Sequence, residues 1–238
     1  MKTSIVIPLA SNGFGSRWND TELRYCLRGI EKYLTGYGDI FIIGKAPAWC
    51  RNVIEISAED DDKTYWKERN IYRKILKACG DDRVTEDFLF MNDDHFLLAP
   101  FEASKFPNYY EGFLGDQMGR IDQYGNTVRN TSEIIHEYSL YFDIHVPIVY
   151  NKELFEKVFE RVDWGRKYGY CIKSVYCVYA AARGEYYPDL KIRTIMPSQK
   201  IMEMIKGRLF FSMDNRAREG GMGAVLQELF PKKSKWEI

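Results

Sequence analysis

The stretch Phe88-Leu89-Phe90-Met91-Asn92-Asp93-Asp94-His95-Phe96-Leu97-Leu98 decides how this chain is read. An apolar strand ends in an amide, two adjacent carboxylates and an imidazole, and the chain then turns apolar again. Bare carboxylates buried beside such a strand cost several kcal/mol unless a cation or hydrogen bonds compensate them. Oxygen ligands crowded at a strand terminus suit a hard divalent ion, Mg²⁺ or Mn²⁺, and such an ion favours a diphosphate partner. The alternative is an acidic turn that caps the next segment.

Upstream of that stretch, strand and helix signals alternate. Residues 4–9 are β-branched and apolar and read as a buried first strand. Asn12-Gly13-Phe14-Gly15-Ser16 forms a loop, and Asn19 with Glu22 three residues on resembles a capping box. Leu23, Leu27, Ile30 and Leu34 recur at i, i+4, i+7 and i+11, one face of a helix that Gly36 and Gly38 end. Residues 39–44 and 53–57 are further strands, and a helix over 63–79 turns Ile71, Tyr72, Ile75 and Leu76 inward. This order predicts the α/β class, with a mostly parallel central sheet flanked by helices and ligands at the carboxyl ends of its strands.

Downstream the pattern loosens. Residues 101–133 are rich in Gly, Asn, Asp and Tyr without a sustained period and read as an excursion over the cleft. A strand over 138–150, helices over 152–162 and 172–183, a strand over 190–196 and a short helix over 225–230 follow. Lys232, Lys233 and Lys235 read as a solvated tail. No repeat or linker divides the chain, so residues 1–238 are expected to form one domain.

Composition narrows the function. The 34 basic and 34 acidic side chains balance, so no global field draws the protein to nucleic acid or anionic lipid. A metal-dependent nuclease using Asp93 and Asp94 would want a basic groove, which this balance does not advertise. The five cysteines are odd in number and form no CxxC pair, which predicts free thiols in a reducing compartment. No stretch approaches the roughly 20 apolar residues of a membrane span, and the apolar run after Ser4 is too short for a signal peptide. A cytoplasmic protein is the expectation.

Several blocks together resemble a known family. IVIPLA (residues 5–10), ELRYCLRGIEKYL (22–34), DIFIIG (39–44) with Pro47-Ala48-Trp49 after it, and FLFMNDDHFLL (88–98) are similar to blocks of the Stealth-type sugar-phosphate transferases and related GT-A glycosyltransferases. Ile144 to Pro147 (IHVP) and LFPKKSKWE (229–237) look like later blocks of the same proteins. The chain departs from them in having Cys26 and Gly29 where serines are usual, and in lacking long spacers. The resemblance implies a GT-A-like single domain, with residues 1–100 binding a nucleotide-diphosphate sugar and 101–238 forming the acceptor side. It implies Mn²⁺ or Mg²⁺ at a DxD-like motif, here Asn92-Asp93-Asp94, with Asp94 as direct ligand and Asp93 ligating through water or orienting sugar hydroxyls. Asn92 then contacts the donor, His95 either contacts the donor or supports the ligands from behind, with a satisfied, half-buried histidine as the alternative, and Leu9, Ser11 and Asn12 of the loop after the first strand meet the nucleotide.

Two further constellations are read from the residues themselves. Arg24 and Arg28 share a helix face and either meet an anion, such as the diphosphate or a structural carboxylate near the metal, or form a ladder with Asp20 and Glu31. Asp143 and His145, two apart on an extended segment, project together, so the carboxylate fixes the imidazole tautomer for deprotonating an acceptor hydroxyl. The alternatives for His145 are a third metal ligand and a pair bonded to backbone. His136 is a weaker candidate of the same kind. Tyr109, Tyr110, Trp164, Tyr168 and Tyr170 are candidates for stacking on sugars, with core packing as the alternative. The expected function is metal-dependent transfer from a nucleotide-diphosphate sugar to a hydroxyl of a glycan or cell-envelope polysaccharide. The product is either a glycoside or, in the Stealth-like alternative, a sugar phosphodiester.

Overall fold

The computed structural model describes residues 2–10, 21–61 and 67–238. The first half runs β1 (Thr3–Pro8), α1 (Thr21–Tyr33), β2 (Leu34–Thr35), β3 (Tyr37–Ile43), β4 (Ile54–Ile56), α2 (Lys67–Cys79) and β5 (Asp87–Phe90). The chain continues through β6 (His95–Leu97), β7 (Phe101–Glu102), β8 (Tyr109–Tyr110), α3 (Gln123–Ser132), β9 (Ile148–Asn151) and α4 (Lys152–Phe159). It closes with α5 (Ile172–Tyr179), β10 (Glu185–Tyr186), β11 (Lys191–Ile192), α6 (Ser198–Ile205), β12 (Phe210–Met213) and α7 (Met222–Leu229).

The central sheet has the order β4-β3-β1-β5-β9, parallel except for the antiparallel edge strand β9. The α/β class with a mostly parallel sheet is therefore present as the sequence predicts. Alternation along each strand splits the core in two. Ile5, Ile7, Ile40, Ile42, Leu89 and Met91 pack with Leu23, Cys26, Leu27 and Ile30 of α1. Val6, Phe41, Ile43, Phe88 and Phe90 face the other way, against Ile75 and Ala78 of α2. From β1 the chain steps outward to β3 and β4, then returns past β1 to β5. Crossovers of one hand in opposite directions put their helices on opposite faces, as the two core clusters record.

A second sheet, β11-β12-β6, leads away from the end of β5. Its ladders place Lys191 opposite Ser212 and Ser212 opposite His95. This register becomes important at the site.

Three expectations are corrected. Residues 101–133 contain α3, whose buried face is largely polar and so carries no hydrophobic period. Thr127 donates to the Tyr168 carbonyl, Asn130 to those of Lys167 and Gly169, and Thr131 accepts from the Cys171 N–H. Of the strand expected over 138–150 only β9 joins the central sheet: Ser139 to Tyr141 pair instead with residues 111–114, and the Phe142 and His145 N–H groups donate to the side chains of Ser174 and Asp189. The terminal lysines are not a free tail. Ser234, Trp236 and Glu237 are buried, Ile238 N–H donates to the Trp49 carbonyl, and the Arg51 N–H donates to that of Trp236. This segment straps α1 to the loop after β3. All five cysteines are free thiols, four of them buried.

Candidate active site

The sheet order reverses beside β1, and a cleft of about 700 Å³ opens at the carboxyl ends of β1 and β5. That is the crevice where open parallel sheets bind ligands. Pro8 and Ala10 line it from the end of β1, and Asn92, Asp93 and Asp94 from the end of β5. Lys67, Glu68 and Lys74 contribute from α2, and Asp143, His145, Lys173, Lys191, Arg193 and Asp214 from the second half.

The acidic pair sits on a turn, where strand alternation no longer applies. The His95 N–H donates to the Asn92 carbonyl at 3.2 Å, and the Asn92 N–H donates back to His95 Nδ1 at 3.3 Å. Asp93 and Asp94 are the two central residues of that turn and both face the cleft. Asp94 Oδ2 accepts from Lys191 Nζ at 2.9 Å and from Ser212 Oγ at 3.5 Å. Burial opposes ionisation of Asp94, but the charge and hydrogen bond of Lys191 lead the opposing effects, and the carboxyl sits well below its usual range. The three-strand row Lys191, Ser212 and His95 explains how a lysine 97 positions away reaches Asp94.

His95 itself is buried and stands outside the cleft lining. Burial drives its pKa well below the ordinary value, so it is a neutral imidazole that pins the turn from outside the cleft.

The second constellation differs from its expected form. His145 Nδ1 lies 2.6 Å from Asp189 Oδ2, and the His145 N–H donates to Asp189 Oδ1 at 3.0 Å. Asp189 is the partner, and Asp143 is not. The Val146 N–H donates to the Ile144 carbonyl at 2.9 Å, a γ-turn centred on His145 that breaks the extended alternation. Asp143 instead accepts from the Lys173 and Ser174 N–H groups at 3.1 and 2.8 Å, in the first turn of α5. Lys173 Nζ donates to the Ile144 and Val146 carbonyls at 2.7 and 2.5 Å and so clamps the γ-turn; burial lowers its pKa to about 8.

An ionised carboxylate only accepts, so Nδ1 of His145 carries the proton and Nε2 keeps a lone pair. Burial lowers the pKa of His145, and the hydrogen bond to Asp189 partly opposes this. The imidazole is therefore a neutral base near pH 7. It also lies close enough to Asp94 and Lys191 to feel their charges. Glu68, on the α2 side, has its pKa raised to about 7 by burial.

The remaining expected residues are dispersed. The Leu9 side chain is in the core; its carbonyl accepts from Lys74, which also pairs with Asp60 at 2.7 Å. Gly44, at φ +136°, passes that carbonyl where a Cβ would come within 2.8 Å. Ser11 and Asn12 lie outside the described residues. Arg24 and Arg28, expected at the donor, point to Glu237, at 3.3 Å for Arg24 and 2.7 Å in a two-pronged pair for Arg28. His136 Nδ1 accepts from the Tyr138 N–H, and its ring stacks on Tyr138. Trp164 stacks on Tyr72 at 3.9 Å, and Tyr109 packs against Phe210. The phenyl and phenol rings that line the cleft are those of Phe90, Tyr124, Tyr141 and Tyr150. Asp189, Lys173 and Lys191 are not picked out by the sequence: Asp189 sits in a turn-like YYPD run, and a single lysine in a short strand reads as an ordinary solvent-facing side chain.

No family model matches the chain, and no curated protein matches it in sequence. Among solved structures it is similar to a glycosyltransferase involved in glycosylation of the major capsid of PBCV-1, at 13% identity. That match covers 96% of this chain and 98% of the other, with a TM-score of 0.45. It is also similar to the galactosyltransferase LgtC in complex with donor and acceptor sugar analogs. There the identity is 10%, the coverage 98% and 97%, and the TM-score 0.46. Among the described residues no helix is long and apolar enough to cross a membrane.

Proposed function

We propose that this protein transfers a glycosyl group from a nucleotide-diphosphate sugar to a hydroxyl acceptor, a glycan or cell-envelope polysaccharide. One observation carries the reading: an Asp94–Lys191 pair and His145, backed by Asp189, face a single cleft at the switch point of a parallel sheet. The first suits a leaving diphosphate, and the second suits an attacking hydroxyl.

The donor set fits Mg²⁺ or Mn²⁺. Such ions are held by one or two carboxylates together with substrate phosphates and water, not by an all-protein cage. Asp93 and Asp94 are of that kind, and among the described residues no group of three His, Cys, Asp or Glu converges as a cage would. When bound, the ion neutralises charge that grows on the leaving phosphate. The chain's own residues do the rest. His145 Nε2 takes the acceptor proton as the acceptor oxygen bonds to the anomeric carbon and the nucleoside diphosphate departs. Asp189 holds the imidazole tautomer and stabilises the imidazolium that forms. Lys191 and Arg193 bring positive charge to the diphosphate.

The test is incubation with a panel of UDP, GDP and CMP sugars and envelope-type acceptors, with the released nucleotide identified by mass spectrometry. A nucleoside diphosphate is the expected by-product. A nucleoside monophosphate from a diphosphate donor would place the attack at phosphorus, as in the Stealth-like alternative. Absence of turnover with every donor, despite an intact fold, would sink the proposal.

A further inference from the structure

We infer that Lys191 is the exchangeable counter-ion of Asp94, so that the ammonium and a divalent ion are alternative partners of one carboxylate. The contact is direct, at 2.9 Å, and it is the one hydrogen bond of the Lys191 ammonium among the described residues. Lys173, by contrast, is committed to two carbonyls, and Lys74 to Asp60 and a carbonyl. The pair is deep enough to exclude bulk solvent yet open to the cleft, with the two side chains 13% and 17% exposed.

Register fixes where Lys191 begins and leaves its end free. The β11–β12–β6 row sets its backbone beside Ser212, while the four-carbon stem lets the ammonium swing without moving a strand. A divalent ion and an ammonium crowded on one carboxylate repel each other. Arrival of the ion therefore releases Lys191 into the cleft, where a diphosphate is its natural acceptor. The ion and the diphosphate then favour each other's binding, since each removes a cost from the other. What Lys191 does after release rests on the transferase reading; the exchange at Asp94 does not.

The experiment titrates Mn²⁺ alone into the full chain and counts free ion by its paramagnetic resonance signal. Wild type, Lys191→Met, Asp94→Asn and the double variant are compared, after thermal melts establish that each is folded. Lys191→Gln replaces Lys191→Met if the latter fails to fold. Lys191→Met should bind Mn²⁺ at least tenfold more tightly than wild type, and the gain should vanish in the double variant. Lys191→Arg should behave as wild type. Unchanged affinity in Lys191→Met, or a gain that survives loss of Asp94, overturns the exchange. With Mn²⁺ present in saturating amount, calorimetry with inorganic pyrophosphate should show at least fivefold weaker binding to Lys191→Met, and equal binding overturns the second role. A protein that exchanges Mn²⁺ as described but turns over no donor refutes the transferase reading alone.

Discussion

Replacing Glu237 by glutamine should unfasten the C-terminal strap by a calculable amount. The side chain is fully buried and accepts from Arg28 Nε and Nη2 at 2.7 Å, Arg24 Nη1 at 3.3 Å and the Ser234 N–H at 2.8 Å. Burial opposes its ionisation, but the bonds from Arg28 and Ser234 win and lower its pKa from 4.5 to about 2. At about 1.36 kcal/mol per pH unit, that drop corresponds to about 3 kcal/mol of stability. It matches the cost expected when one partner of a buried ion pair is removed. For a chain of this size the melting temperature should fall by about 6–12 °C near pH 7. The sign of the pH dependence follows. A carboxyl held below its ordinary value stabilises fully above about pH 4.5, and the contribution disappears as pH falls through about 2. The gap between wild type and Glu237→Gln should therefore shrink from about 3 kcal/mol near pH 7 to about 1.5 near pH 3. Urea unfolding at a series of pH values, followed by circular dichroism, measures it. A gap under about 1 kcal/mol near neutrality, or one that ignores pH, would refute the assignment of Glu237 as the ionised anchor of both arginines.

Other outcomes follow from the cleft. Asp189→Asn should lower kcat by roughly 10²- to 10⁴-fold through loss of the correct His145 tautomer. Since Asp189 raises the pKa of His145, the acid limb of the pH–rate profile should also move lower. Asp143→Asn should leave that limb where it is and act on stability, by about 1–2 kcal/mol in chemical unfolding, because its carboxylate caps α5. Lys173→Met removes the ammonium from the Ile144 and Val146 carbonyls, leaving the γ-turn without its clamp, and should cost roughly 2–4 kcal/mol, with kcat falling as His145 loses its seat. A single displacement assisted by His145 inverts the anomeric centre, so proton NMR of the early product should show the configuration opposite to the donor's.

The sheet was legible because its strands, β4 apart, carry apolar residues on both faces and α1 keeps a strict apolar stripe. The turn bearing Asp93 and Asp94 was legible as well, since two acids between apolar runs need a reason to be there. His145 was picked out by chemistry, but its partner was not. Proximity in sequence favoured Asp143, whereas the γ-turn sends the ring to Asp189, 44 positions on. Lys191 depended on strand register across a second sheet, which no local pattern encodes. α3 was hidden for a related reason: Thr127, Asn130 and Thr131 fill its buried side with hydrogen bonds in place of hydrocarbon. Arg24 and Arg28 show the converse hazard, in which a helix face that looks made for a phosphate is occupied by a distant carboxylate.

The strap has a consequence for synthesis. The glutamate that neutralises Arg28 is encoded 209 codons after it, so a nascent chain exposes the α1 arginines and the Trp49 loop long before their counterpart leaves the ribosome. Domains tend to mature as they emerge. In this one α1 must wait until Glu237, 209 residues on, has been translated before its outer surface is sealed.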